Sequence, residues 1–218
     1  GTTLLAWTTT PWTLTGNTAL AVNNDLEYIE VKVGDDQFVL AKALAEKVLQ
    51  DEKHQPLEYQ VIRTLKGSEL VGKTYEPLLP IPKGMTATPV NRSQRGSSTT
   101  SFEDDNLYKV WGAEYVSAES GTGIVHTAPA YGEDDYQLAQ DNNFGMFHAL
   151  DDNGVYYQPV ADELYKLMPW LDASKPLEVW ENNKNIAKGF EKAGVVWKTE
   201  YIRHEYPFNP RSKQRIMY

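Results

Sequence analysis

Gly121-Thr122-Gly123-Ile124-Val125-His126-Thr127-Ala128-Pro129-Ala130-Tyr131-Gly132-Glu133-Asp134-Asp135-Tyr136 packs a strand, a stop and a helix start into one short run. Two glycines lead into β-branched Ile124 and Val125, a strand over Gly123–His126, and Pro129 ends it because proline cannot donate to a ladder. Gly132 then opens a helix to Asn142, with Gly145 as its stop. The first turn of that helix holds Glu133, Asp134 and Asp135, where the macrodipole favours negative charge, so Asp135 can bind a cation. The same three acids also read as plain helix-start charges, and both readings stand. His126, at the strand's end, either faces a pocket or is a satisfied structural histidine. His54, His148 and His204 show no metal-ligand spacing with it.

Working back toward the N-terminus, Leu4–Trp7 reads as a strand that delivers Trp7-Thr8-Thr9-Thr10-Pro11-Trp12-Thr13. Pro11 fixes its own φ and biases Thr10 toward extended geometry. Thr8, Thr9 and Thr10 then alternate across a strand, two hydroxyls facing a site and one packing behind. A β-edge rich in β-branched residues gives the same pattern, and Asn17 after Gly16 also reads as a turn residue.

Further strands are expected at Thr18–Val22, Tyr28–Val33, Gln37–Leu40, Tyr59–Thr64, Leu107–Trp111 and Val195–Ile202. Short helices are expected at Ala41–Gln50 and Pro176–Ala193, the second closed by Gly194. Gly67–Met85, with three prolines, reads as a long irregular connection, and Asn91–Ser101 as a flexible polar loop. Strands with interspersed helices and no internal repeat make the fold class α+β.

Together the two motifs resemble the editing domain of the class I aminoacyl-tRNA synthetases for branched aliphatic amino acids, specifically the isoleucyl type. Thr10-Pro11-Trp12 stands where the valyl and leucyl types carry Arg-Pro, and His126 stands where the valyl type has lysine. The resemblance covers nearly all of 1–218 as a single domain, with Tyr206-Pro207 and Arg211 (segment 203–218) resembling the return into the parent's catalytic domain. Pro207-Phe208-Asn209-Pro210-Arg211 departs from the family, which often has Cys and Trp there. Gly1 without an initiator Met and the end at Tyr218 fit a domain cut from a longer protein.

The resemblance implies a distorted β-barrel with peripheral helices, and post-transfer editing by hydrolysis of the aminoacyl ester of valyl-tRNA(Ile) within an isoleucine-tRNA ligase. It implies that Asp135 holds the α-ammonium of the amino acid. His126 recognises the substrate and limits the side chain admitted. Thr8, Thr9 and Thr10 contact the terminal ribose and the ester, Thr9 and Asn17 match editing positions, and Trp7 and Trp12 form apolar walls. The partners implied are the tRNA(Ile) 3′ acceptor end carrying valine and the rest of the synthetase in cis, with no cofactor in this domain, no membrane, and a cytoplasmic location.

Composition bounds these expectations. The 218 residues are 41% hydrophobic and 23% charged, enough to bury one sizeable core with a small appended subdomain. No apolar run approaches the roughly 20 residues that span a bilayer, and no basic-then-apolar signal opens the chain. The absence of cysteine removes disulfides, thiolate chemistry and Cys-based zinc sites. No Gly-x-Ser-x-Gly elbow or serine with a His and Asp partner is present, so direct attack by water is the expected chemistry, and a freestanding esterase is disfavoured. A net charge of −9 counts against a large nucleic-acid surface. The basic residues Arg92, Arg95, Lys198, Arg203, Arg211, Lys213 and Arg215 are local; either cluster could touch backbone phosphate, but a solvated face is the preferred account. The remaining alternative is a non-catalytic acceptor-end-binding or structural insertion.

Overall fold

The computed structural model describes residues 1–90 and 104–200. The Asn91–Ser101 loop and the 203–218 return segment lie outside the described residues. The chain gathers into two compact units: 1–8, 18–77 and 103–127 form the first, and 9–17, 78–102 and 128–218 the second. Each has its own apolar cluster, where composition pointed to one sizeable core with a small appended subdomain.

The first unit is built of strands. β1 (Thr2–Leu4), β2 (Ala19–Val22), β3 (Glu27–Val33), β4 (Asp36–Ala41), β5 (Gln60–Lys66), β6 (Lys109–Gly112) and β7 (Ile124–Thr127) follow the β-branched and aromatic runs. They form two mixed sheets, ordered β1-β4-β3-β5 and β6-β2-β7. β3 and β4 make an antiparallel hairpin through Gly34 at φ 60°, while β1 lies parallel to β4 and β2 parallel to β6. Its core draws on both sheets, with Tyr28, Val31, Leu40, Val22, Val110 and Ile124 buried. Among the described residues the sheets remain separate in strand order, so the distorted barrel is not seen as a closed one. The N-terminal segment nonetheless bonds to both: Leu5 N–H donates to the Val39 carbonyl at 3.1 Å and Trp7 N–H to that of Ile124 at 2.8 Å.

Several element boundaries differ from the sequence reading for local reasons. β1 stops at Leu4, and Trp7 keeps only an isolated parallel bridge to Val125. The Ala41–Gln50 helix is a 3-10 turn (Lys42–Leu44) running into one α turn, α1 (Ala45–Val48), because burial falls on Leu44, Ala45 and Val48 and leaves Ala43 exposed.

The second unit is helical. A 3-10 turn (Pro11–Gly16), α2 (Glu133–Asn142), α3 (Gln158–Leu167) and α4 (Val179–Lys192) surround Trp12, Phe147, Tyr156, Leu164, Met168, Ile186 and Phe190. α2 ends on Asn143 at φ 50° rather than at Gly145, asparagine being one of the few residues tolerant of the left-handed region. α3 has no counterpart in the sequence reading, although Pro159 in its first turn and the buried Val160, Ala161 and Leu164 are the usual marks of a short amphipathic helix. α4 opens with the Glu178 carboxylate accepting from Glu181 N–H at 2.7 Å, and Gly194 at φ 70° follows its end. No strand forms over Val195–Glu200; the rest of that expected strand lies outside the described residues.

Candidate functional site

Each unit brings the two motifs together. In the first, Trp7 N–H donates to the Ile124 carbonyl at 2.8 Å, and the Trp7 carbonyl accepts from His126 N–H at 3.0 Å. The Trp7 ring lies over Gly121, where an added Cβ would come within 2.7 Å of its Cγ and where φ is 70°, so glycine is required twice over. His126 pairs with Leu20 across β2 and is 6% exposed, on the strand face shared with buried Ile124. Thr8 belongs to this unit and is half-buried.

In the second unit, Thr9 and Thr10 do not continue a strand. Thr9 sits in a bend and Thr10 precedes the 3-10 turn at φ −134°, ψ 80°, so the strand alternation expected of the three threonines does not apply. Pro11 explains this: its fixed φ suits the first position of a helical turn, and its ring keeps Thr10 out of it. The Thr9 and Thr10 hydroxyls are 3.3 Å apart, and Thr13 clamps Thr10 by donating both its N–H (3.0 Å) and its hydroxyl (2.8 Å) to the Thr10 carbonyl. Asn17 closes the turn, buried, with its N–H on the Leu14 carbonyl at 3.3 Å. Trp12 is 4% exposed and packs edge-on against Tyr131 and Trp180, with centroids at 5.1 and 6.1 Å. Its indole is part of the core, which departs from the apolar wall expected of it.

Asp135 lies in the first turn of α2, whose N-cap Gly132 offers no side chain. One carboxylate oxygen accepts from Ala128 N–H at 2.8 Å, tying the loop 128–132 to the helix. That bond satisfies a buried backbone donor and fixes the carboxyl's orientation.

Tyr131, part of the second motif but given no role by the sequence reading, links the pieces of this second unit. Its hydroxyl accepts from Ala149 N–H at 2.8 Å and Leu150 N–H at 3.2 Å, its N–H donates to the Ala128 carbonyl at 2.9 Å, and burial pushes its phenol up to about 12. Tyr156, raised above the ordinary phenol range by burial, donates to the Trp12 carbonyl at 3.0 Å. Nothing in the sequence pattern marks Tyr131, because an aromatic after Pro129-Ala130 is ordinary loop composition.

Among the described residues no cluster of His, Cys, Asp and Glu could hold a metal ion, and no helix is long and apolar enough to cross a membrane.

Comparison with known proteins supplies lineage. The chain is 36% identical over its full length to an isoleucine–tRNA ligase of Bdellovibrio bacteriovorus, and 34% identical over 99% of it to that of Clostridium tetani. It spans 18% and 17% of those relatives' lengths. No protein-family model matches it. In fold it is similar to the editing domain of the Plasmodium falciparum cytosolic leucyl-tRNA synthetase, at TM-score 0.54 and 13% identity, over 87% of this chain and 76% of that one.

Proposed function

The chain belongs to the class I aminoacyl-tRNA synthetases as an editing-domain segment, and from that premise we propose that it proofreads for isoleucine by hydrolysing the ester of valyl-tRNA(Ile). The observation that carries this reading is the packing of motif on motif: Gly16 and Trp12 meet the Tyr131 ring in the loop that Asp135 ties down. Residues more than a hundred positions apart are thus held in one arrangement.

In this reading Asp135 holds the valyl α-ammonium by a charge-assisted bond. Thr9, Thr10 and Asn17 fix the terminal ribose, the ester and one water, with Trp12 the buried support of the turn. Water attacks the ester carbonyl carbon, the acyl–oxygen bond to the ribose breaks, and the departing ribose oxygen takes a proton, giving valine and deacylated tRNA. The ester is already activated, so positioning supplies most of the rate, and neither a protein nucleophile nor a cofactor is needed. The partners are the tRNA(Ile) 3′ end and the remaining synthetase in cis, in the cytoplasm.

A second sieve has a physical reason. One methylene in an apolar pocket is worth about 1–3 kcal/mol, a limit for which the isoleucyl enzyme is itself the usual illustration, so a site chosen for isoleucine admits valine too often. The structural duties of Asp135 and Trp12 favour one competing reading, acceptor-end binding without turnover. Hydrolysis of valyl- and isoleucyl-tRNA(Ile) by the full synthetase separates these outcomes. Preferential loss of valine supports editing here; equal rates for the two esters end the sieve, and binding without turnover of either favours the competitor.

A further inference from the structure

The Pro11–Gly16 turn carries Thr9 and Thr10 at its mouth, and a chain of short contacts leads from that turn to Asp135 through a single side chain. Gly16 approaches the Tyr131 ring so closely that a Cβ there would lie 2.5 Å from Cε2, 3.0 Å from Cδ2 and 3.3 Å from the Phe147 carbonyl oxygen. The ring cannot swing away. Its hydroxyl is held by two backbone N–H groups at Ala149 and Leu150, its plane rests edge-on against Trp12, and its backbone is bonded to Ala128. Ala128 in turn is bonded to the Asp135 carboxylate. At the other end, Thr13 locks Thr10 to the turn by two bonds to one carbonyl, with the Thr9 hydroxyl beside that of Thr10.

We propose that Tyr131 is the positioning residue that sets the Thr9–Thr10 hydroxyl pair relative to Asp135, and that position 16 is glycine because the ring occupies the space of a side chain. This deepens the editing reading and rests on it. Tyr131 touches no reacting atom; it acts by fixing where two substrate-binding groups stand. A misplacement of about 1 Å at such a distance from the chemistry costs on the order of 10²-fold in rate. A Cβ at 2.5 Å from a ring carbon, against ordinary contacts of 3.4 Å or more, forces a shift of about that size.

The test uses the full synthetase. Gly16→Ala should lower kcat for valyl-tRNA(Ile) hydrolysis about 10²-fold while isoleucine activation in the parent's synthetic site is unchanged. Tyr131→Leu removes the held ring and should itself lower kcat, and because the new methyl then no longer meets ring carbons, the double variant should lose less than the product of the two single losses. A Gly16→Ala enzyme with wild-type kcat, or a double variant whose loss is the product of the two single losses, overturns the positioning role. Wild-type enzyme that fails to cleave valyl-tRNA(Ile) overturns the editing reading instead, and the two failures are distinguishable.

Discussion

Replacing Asp135 by asparagine and by alanine separates its charge from its structural bond. Asparagine keeps an oxygen for Ala128 N–H, now 2.8 Å from the carboxylate, and removes only the charge. A hydrogen bond to a charged partner is worth about 1.5–3 kcal/mol, so losing the ammonium anchor should lower kcat/KM for valyl-tRNA(Ile) hydrolysis about 10- to 150-fold. The helix-start charge itself contributes only about 0.3–1 kcal/mol, so the asparagine variant should remain folded with a small loss of thermal stability. Alanine also orphans the N–H of Ala128, a residue 1% exposed. That adds about 1–3 kcal/mol of destabilisation, or roughly 2–12 °C in Tm at about 2–4 °C per kcal/mol for a chain of this size. Single-turnover deacylation by the full enzyme, with calorimetry on the same preparations, reads both effects. An asparagine variant within threefold of wild type, alongside an unstable and inactive alanine variant, would refute the anchor and leave Asp135 a loop tie.

Two pH predictions follow from buried groups. Tyr28, Tyr131 and Tyr156 are all raised above the ordinary phenol value of 10.0, chiefly by burial, so their contribution is intact below about pH 10 and is lost as pH rises beyond it. Tyrosinate absorbance should therefore appear together with loss of far-UV dichroism; absorbance that rises while the fold persists contradicts this. On the acid side, the Thr2 hydroxyl bond, outweighing burial and assisted by Arg63 at 2.6 Å, holds the Glu30 carboxyl below its usual 4.5. That stability is present above about pH 4.5 and declines as pH falls through the lowered value, so Thr2→Val should move acid unfolding to higher pH, and an unchanged midpoint counts against the Thr2 bond.

The β3–β4 hairpin, β2, β7 and the helices α2 and α4 were legible because each is a local pattern: apolar alternation, a turn glycine, acids at a helix start, a glycine after its end. α3 escaped although Pro159 and its apolar face carry the usual marks of a short amphipathic helix, because the sequence reading assigns no element between the α2 stop and Pro176. The same locality explains the threonines: Pro11 announces a constraint on Thr10 but not that a 3-10 turn begins at once. Of the candidate site, Asp135, His126 and the hydroxyl run stood out through residue type and spacing. Tyr131 did not, because its importance lies in the missing side chain of Gly16, which no linear pattern connects to it.

Residue order alone thus determined the α+β class, the two motifs and the lineage they resemble, since these rest on propensities and spacings within a few turns of chain. Tertiary structure decided that the chain forms two apolar clusters, that Trp12 belongs to one of them, and that the motifs meet through Tyr131. Those outcomes depend on which distant surfaces exclude water together, and close packing between residues far apart in the chain settles that only once the whole fold is formed.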